Sequence, residues 1–277
     1  MNEILRVESL TKRFTKKGFF RSQLQALTAV DNVSFSLNFE EILAIAGQSG
    51  SGKSTIAKLI LRAIEPDSGK IFFNEKEVLS YSSLKKFRLQ CQMIYQDPYD
   101  SINPRMRISD IISEPLEIHS IGSKESRYEM VLDSLRQVKL EPADDIAKKH
   151  PHMLSGGQRQ RVVIARALVV KPKVIIADEP VSMLDVSIRA EILDLINEIQ
   201  KKNKISFIYI THDLATAKHF ADRIIILYAG KIVEEGNIND VLSNPKHSYT
   251  QALINAISEP DPNNLYREKN IGLNVDN

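Results

Sequence analysis

The sequence of 277 residues contains a single cysteine, Cys91. One thiol cannot form an intrachain disulfide framework or a cluster of thiolate metal ligands. Because Cys91 begins the apolar stretch 91–95, we expect it to be a buried structural thiol rather than a reactive one. Neither sign of charge predominates, since 37 basic side chains face 35 acidic ones. Nucleic-acid-binding domains usually carry a strongly basic face, so we expect no nucleic-acid partner.

Long hydrophobic runs are also missing. The longest ones, such as Ile42–Ala46 and 224–228, have the length of a β-strand. They fall far below the ~20 residues that a membrane span needs. The N-terminus lacks the charged and then apolar order of a signal peptide. We therefore expect a soluble cytoplasmic chain with no transmembrane segment, attached to a membrane only through a partner.

Two patterns of apolar residues along the sequence indicate the fold. Segments 4–10 and 33–37 alternate apolar and polar residues, which predicts antiparallel strands, and the basic stretch 15–25 between them is predicted as a hairpin extension or loop. Later, short apolar runs alternate with helix-like stretches, which is typical of a mainly parallel sheet buried on both faces. These runs are Ile42–Ala46, 174–177, 206–210 and 224–228.

Residues 101–153 contain no such run. They predict several helices, including one over 125–138, and therefore a helical subdomain inserted into the α/β core. Near the C-terminus the pattern predicts a short helix, Ser248–Ile257, followed by prolines that stop it. The polar tail 259–277 is expected to be mobile.

A glycine-rich segment follows the predicted strand Ile42–Ala46 and precedes a helical stretch. It matches the pattern G-x-x-x-x-G-K-[ST], in which backbone N–H groups surround a phosphate because side chains are absent. Lys53 would reach the outer phosphates, and Ser54 would offer its hydroxyl to Mg²⁺. The residues predicted to bind ATP here are Gly47, Gln48, Ser49, Gly50, Ser51, Gly52, Lys53, Ser54 and Thr55.

Two adjacent carboxylates, Asp178 and Glu179, end the apolar run 174–177. A carboxylate at the end of a strand suits Mg²⁺, usually through water. The neighbouring carboxylate points elsewhere and can orient or deprotonate an attacking water. Acidic residues commonly follow strands, so the pair alone is weak evidence for a catalytic site. Together with a phosphate loop in the same chain, it is strong evidence.

A second anion-binding element precedes a long helical pattern. Its residues are Leu154, Ser155, Gly156, Gly157 and Gln158. A simple helix cap would explain the serine but not two glycines followed by glutamine, whereas a helix N-terminus of this kind can bind an anion. One phosphate loop already binds one triphosphate, so this second anion-binding element needs a nucleotide bound by another chain. The sequence therefore predicts a head-to-tail pair of subunits, in which this helix of each subunit contacts the ATP of the other.

These motifs resemble, in the same order, those of the nucleotide-binding subunits of ABC transporters. Segment 47–55 is similar to Walker A, 154–158 to the signature, and Asp178 with Glu179 to Walker B and its catalytic carboxylate. The resemblance covers about residues 3–257. Phe14 matches the A-loop aromatic that stacks on adenine, and Gln96 matches the Q-loop. Asp185 matches the D-loop, and His212 matches the switch histidine.

The resemblance implies an α/β P-loop NTPase core of the ABC type, with an N-terminal antiparallel β subdomain and an inserted helical subdomain. The nucleotide-binding domain is expected over 1–245, with the helical subdomain at about 101–153, and a C-terminal extension over 246–277. The implied cofactors are ATP and Mg²⁺. The implied catalytic residues are Lys53, Glu179 and His212, and the implied metal-binding residues are Ser54, Gln96 and Asp178.

The resemblance also implies partners. These are a second ATPase subunit, either this chain or a paralogue, two transmembrane permease subunits and, indirectly, an extracytoplasmic solute-binding protein. The chain is expected on the cytoplasmic face of the cell membrane. The family contacts its membrane partner just after the Q-loop, which is 101–118 here, and Arg105 and Arg107 are candidates for that contact. A solvated surface is the alternative.

Segments 97–105, 178–188 and 244–253 resemble the oligopeptide/dipeptide branch of the family. That branch implies ATP hydrolysis coupled to peptide import, although it also includes importers of nickel, glutathione and oligosaccharides. Some members carry a C-terminal cysteine cluster for an iron–sulfur centre, and no cysteine follows Cys91 here.

The main alternative is a soluble ABC ATPase of DNA repair, translation or iron–sulfur assembly. Such proteins often carry two fused ATPase units or a long coiled coil, whereas this chain has one set of motifs and no heptad run. A catalytically inactive regulatory subunit is disfavoured because Lys53, Glu179, His212 and the signature are intact.

Overall fold

The computed structural model describes residues 3–16, 25–78 and 81–257, which form two β-sheets and the helices that cover them. The strands are β1 (Glu3–Lys16), β2 (Gln25–Asn38), β3 (Ile42–Ala46), β4 (Ser68–Phe73), β5 (Lys76–Glu77), β6 (Cys91–Ile94), β7 (Val174–Asp178), β8 (Ser206–Thr211), β9 (Arg223–Tyr228) and β10 (Lys231–Asn237). The helices are α1 (Lys53–Ile60), α2 (Tyr81–Gln90), α3 (Pro98–Ser101), α4 (Ile108–Ile118), α5 (Lys124–Gln137), α6 (Ala143–Lys148), α7 (Gly156–Leu168), α8 (Val186–Asn203), α9 (Leu214–Lys218), α10 (Ile238–Ser243) and α11 (Ser248–Ile257).

The larger sheet has the strand order β10-β9-β3-β8-β7-β6. Its neighbouring strands run parallel, except that β10 runs antiparallel to β9. Strands β3, β7 and β8 are buried along their whole length. Such strands have apolar side chains on both faces, which is why they stand out as continuous apolar runs. The predicted strands and the mainly parallel sheet are confirmed.

Strand β3 separates two hydrophobic cores, because successive side chains of a strand point to opposite faces. Leu43 and Ile45 pack in the core that contains α1 and the smaller sheet. Ile42 and Ala44 pack in the core that contains α7, α8 and the helices between β6 and β7. The carboxyl ends of the parallel strands meet at one edge of the sheet, where open α/β sheets bind their ligands.

The smaller sheet has the order β2-β1-β4-β5 and antiparallel pairing. Val7 lies opposite Phe35, and Leu10 lies opposite Val33. The antiparallel strands predicted for these segments are confirmed, and both extend further than the alternation indicates. The predicted hairpin extension over 15–25 lies mainly on residues 17–24, outside the described residues.

Helices α3 to α6 lie between β6 and the start of α7, and no strand forms over 101–153. The predicted helix over 125–138 is α5, which begins one residue earlier because Ser123 caps it by accepting from the Ser126 backbone N–H. Helix α4 buries Ile108, Ile112 and Leu116 on one face. The prediction of a helical insertion is confirmed.

Strands β4, β5, β6 and β10 were not predicted, because they are only partly buried and contain polar residues. Cys91 begins β6 and is buried, and this burial raises the pKa of its thiol. The expectation of a buried structural thiol is confirmed. Helix α11 has the predicted bounds, and the tail 259–277 lies outside the described residues. In the part of the chain that the structure describes, no helix combines the length and apolarity of a membrane span.

Candidate functional site

The phosphate loop leaves β3 at Ala46 and returns into α1 at Lys53. Gly47 and Gly52 have φ values of 156° and 106°, which L side chains rarely adopt. A Cβ atom at Gly47 would stand 2.2 Å from the Leu227 carbonyl oxygen, and one at Gly52 would stand 2.2 Å from the Ala29 carbonyl oxygen. Only glycine therefore fits at both positions. The loop is held tightly between β9 and β2.

Lys53 lies at the first position of α1, and only 5% of it is exposed. Its ammonium group donates to the carbonyl oxygens of Gly47 at 2.6 Å and Gln48 at 2.8 Å. Burial lowers the pKa of Lys53, while the charges of Glu179 and Asp178 act in the opposite direction. The lysine therefore places a buried cationic side chain inside the loop, beside the N-terminus of a helix, where anions bind favourably.

Asp178 is the last residue of β7, and its Oδ1 accepts from the Ser54 hydroxyl at 3.2 Å. Burial raises the pKa of Asp178, and the Ser54 hydrogen bond and the Lys53 charge oppose the shift. A hydroxyl and a carboxylate side by side at the phosphate loop are hard oxygen ligands of the kind that Mg²⁺ prefers. The donor set fits that ion.

Glu179 follows β7 with a φ of 46°, a left-handed backbone, and its carboxylate has different partners from that of Asp178. Gln96 Nε2 donates to Glu179 Oε2 at 3.0 Å, and His212 Nδ1 lies 2.9 Å from Glu179 Oε1. Three loops that follow β6, β7 and β8 thus bring these side chains together. The predicted catalytic carboxylate lies at the centre of the group.

A cleft of about 960 Å³ connects these features. Phe14, Leu27, Glu179 and His212 are among the residues that line it. Phe14 is 40% exposed, so its ring remains accessible. The phosphate-loop residues Gln48, Ser49, Gly50, Gly52, Lys53, Ser54 and Thr55 line the cleft, together with Thr28, Ala29, Gln96, Ala229 and Leu253. The structure therefore brings together the predicted aromatic, phosphate-loop and catalytic positions.

The signature residues lie elsewhere. Ser155 caps α7 through a capping box: its hydroxyl accepts from the Gln158 N–H at 3.3 Å, and Gln158 Oε1 accepts from the Ser155 N–H at 3.0 Å. Of the residues predicted to act with a partner's ATP, none is among the described residues that line the cleft. That set is Leu154, Ser155, Gly156, Gly157 and Gln158. Asp185, predicted as the D-loop residue, does not line the cleft either.

Two side chains near the site were not predicted. Arg189 donates from Nε to the Leu184 carbonyl at 2.7 Å and from Nη2 to the Ser182 carbonyl at 3.2 Å, so it holds the segment that precedes Asp185. Tyr249 accepts the Gln48 backbone N–H on its hydroxyl at 3.0 Å. Segment 244–253 marked a branch of the family in the sequence, but nothing in it pointed to the phosphate loop.

Comparison with known proteins agrees with this geometry. The ABC transporter family model matches residues 30–182, and the model for the C-terminal region of oligopeptide/dipeptide transporters matches residues 233–276. The chain is 43% identical to a probable peptide ABC transporter ATP-binding protein, y4tS, of Sinorhizobium fredii, over 94% of this chain and 74% of that protein. It is 42% identical to the oligopeptide transport ATP-binding protein OppF of Bacillus subtilis, over 96% of this chain and 87% of that protein.

A solved structure is similar as well. The ATP-binding cassette MJ0796, described as a dimer in a post-hydrolysis state bound to ADP and Pi, superposes with a TM-score of 0.73 at 30% identity. The match covers 84% of this chain and 98% of that one. The predicted ABC-type P-loop fold is confirmed. The chain belongs to the ATP-binding proteins of ABC transporters and carries the C-terminal region of the oligopeptide/dipeptide branch.

Proposed function

We propose that this chain binds ATP with Mg²⁺ in the cleft, hydrolyses it, and energises the import of peptides through separate membrane subunits. The observation that carries the proposal is Glu179, which contacts both Gln96 and His212 in a cleft that the phosphate loop also lines. Peptide is the favoured solute because the relatives are named for peptide transport and the C-terminal region matches. Nickel and oligosaccharides are the alternatives within the branch.

We propose a position in the cleft for each part of ATP. The exposed ring of Phe14 would stack on adenine, and the N–H groups of the phosphate loop would surround the phosphates. Lys53 would neutralise charge on the outer phosphates. Ser54, Asp178 and Gln96 would hold Mg²⁺, which when bound neutralises charge on the phosphate oxygens.

Hydrolysis needs a water placed in line with the terminal phosphate, and positioning supplies most of the catalysis. Glu179 would orient that water and accept its proton. His212 lies within hydrogen-bond distance of Glu179 and would contact the γ-phosphate. Gln96 would report the state of the nucleotide to the helical insertion, because its loop leads directly into α3.

The signature residues support a site shared between two subunits. They form the N-terminus of α7, a helix end suited to anions, yet they do not line the cleft of their own chain among the residues described. A second ATPase subunit, identical or paralogous, would place this helix end against the ATP of its partner in a head-to-tail dimer. Asp185 would lie at the same interface.

The assembly we propose contains two permease subunits and an extracytoplasmic solute-binding protein, with this chain on the cytoplasmic face of the membrane. The domain boundaries predicted from the sequence, 1–245 and 246–277, belong to the same proposal. Purification of the tagged chain from membranes, with identification of the bound subunits and measurement of ATP-dependent peptide uptake, tests it. Recovery with no membrane subunit, or uptake that is independent of ATP, would contradict it.

The loop between α3 and α4 is the proposed contact with the permease. Arg105 and Arg107 are exposed there. Reversing both charges (Arg105→Glu with Arg107→Glu) is expected to reduce co-purified permease at least about threefold, because interfacial charge pairs would become repulsive. ATP hydrolysis by the isolated subunit should stay within about twofold, since both residues lie outside the cleft.

A matched control is available on α8. Lys201 and Lys202 are exposed in its last turn. Charge reversal at both lysines changes the net charge of the chain by the same amount but should leave the permease bound. Normal co-purification and uptake with both arginines reversed would refute the contact.

A further inference from the structure

The C-terminal helix α11 reaches the phosphate loop. The Tyr249 hydroxyl accepts the backbone N–H of Gln48 at 3.0 Å, and Leu253, one turn later, lines the cleft. We infer that Tyr249 is a positioning residue that holds the backbone of the phosphate loop in the shape that binds ATP phosphates. The inference rests on the proposed function, because it assumes that the cleft binds ATP.

The tyrosine side of this part-buried hydrogen bond is packed inside the protein. Tyr249 is 1% exposed, and its ring packs on Tyr228 with 4.3 Å between the ring centroids. Burial raises the pKa of the Tyr249 hydroxyl, so the group stays neutral at physiological pH. Removing the hydroxyl would leave the Gln48 N–H without its protein acceptor and would leave a gap in the packed tyrosine pair, which makes this contact costly to remove.

Gln48 is held at both of its backbone groups. Tyr249 accepts its N–H, and its carbonyl accepts from Lys53 Nζ at 2.8 Å. The neighbouring Gly47 is fixed by its close approach to the Leu227 carbonyl, and Leu227 precedes Tyr228, on which the Tyr249 ring packs. Contacts with β9 and with α11 therefore both restrain the first residues of the loop.

Helix α11 is itself anchored at its start. The Glu234 carboxylate on β10 accepts the Lys246 N–H at 2.8 Å and the His247 N–H at 3.1 Å. The Tyr249 N–H donates to His247 Nδ1 at 3.1 Å. These contacts tie the chain just before Tyr249 to the larger sheet, so the hydroxyl has a defined position from which to hold Gln48.

This restraint matters because phosphate loops bind through backbone N–H groups that must point inward before the ligand arrives. Binding is weaker when a loop has to be ordered at the same time, since the ordering costs entropy. The expected defect is therefore in nucleotide affinity, while the groups that act on the water, around Glu179, keep their contacts.

The test compares Tyr249→Phe with Tyr228→Phe in the full chain. Both lose one hydroxyl from the same ring pair, but only the first removes the acceptor of the Gln48 N–H. For Tyr249→Phe, amide exchange at Gln48 should accelerate at least about tenfold, and ATP should bind about five- to tenfold more weakly in equilibrium titration. Turnover at saturating ATP should stay within about twofold. Tyr228→Phe should match the wild type in all three measurements.

The outcomes separate the two proposals. If wild-type protein fails to bind ATP, the proposed function fails. If wild-type protein binds ATP and Tyr249→Phe equals it in affinity and in Gln48 exchange, the positioning role is wrong. An equal loss in Tyr228→Phe would also overturn that role. Should Tyr249→Phe fold poorly, Glu234→Gln replaces it, since weakening the anchor of α11 should produce the same faster Gln48 exchange and weaker ATP binding.

Discussion

Replacing Lys53 with alanine is expected to remove most ATP binding and to abolish hydrolysis. The side chain is the buried cation of the phosphate loop, and no other Lys or Arg is among the described residues that line the cleft. Hydrogen bonds to charged groups contribute about 1.5–3 kcal/mol each, so ATP affinity should fall roughly 10- to 100-fold. Loss of charge stabilisation in the transition state should lower turnover by a further factor on the order of 1,000.

Lys58→Ala is the matched control for this experiment. Lys58 lies on the same helix, α1, but is exposed and does not line the cleft. It should keep wild-type affinity in equilibrium titration and wild-type phosphate release. A melting curve of Lys53→Ala checks that the loop still folds without the hydrogen bonds to Gly47 and Gln48. Near-normal turnover by folded Lys53→Ala would refute the assignment of the phosphate loop.

Glu179→Gln is expected to stop hydrolysis while ATP still binds. The amide keeps the size of the side chain and can still accept the hydrogen bond from Gln96, but it cannot accept a proton from water. General base catalysis contributes about 100- to 10,000-fold, and turnover should fall within that range. Phosphate release under saturating ATP, compared with ATP binding by titration, measures the two effects separately.

Blocked hydrolysis should also trap a dimer. With Glu179→Gln and ATP, light scattering should report twice the subunit mass, or a complex with a paralogous ATPase where that is the partner. Each ATP would join the phosphate loop of one subunit to the signature of the other. Adding Ser155→Arg should abolish the association, because its bulk would stand where the partner's phosphate binds.

Ser123→Arg is the control for that change. Ser123 caps α5 as Ser155 caps α7, so both substitutions remove a serine cap and introduce the same side chain. The cap itself is worth about 1 kcal/mol of stability in either case. Only Ser155→Arg should dissociate the trapped dimer. ATP-trapped association that survives Ser155→Arg, in isolation or in the assembled transporter, would rule out a site shared between subunits.

The sequence by itself determined the elements that can be recognised from a short continuous stretch of residues. Strands β3, β7 and β8 are buried on both faces, so each is an uninterrupted apolar run that needs no partner to be recognised. The phosphate loop binds through backbone groups of neighbouring residues, so its glycines, Gly47, Gly50 and Gly52, lie within one short segment of the chain. Strands β6 and β10 escaped prediction because partial exposure mixes polar residues into short segments.

Only the tertiary structure decided how distant residues meet. The order of strands in the larger sheet brings Gln96 to Glu179 across 83 positions of the sequence and His212 to Glu179 across 33. One oxygen of the Glu179 carboxylate accepts from Gln96, and the other lies within hydrogen-bond distance of His212. The contact of Tyr249 with Gln48 spans 201 positions. The donor in this contact is a backbone N–H, which every residue except proline carries. The residue types of the phosphate loop therefore could not predict the contact.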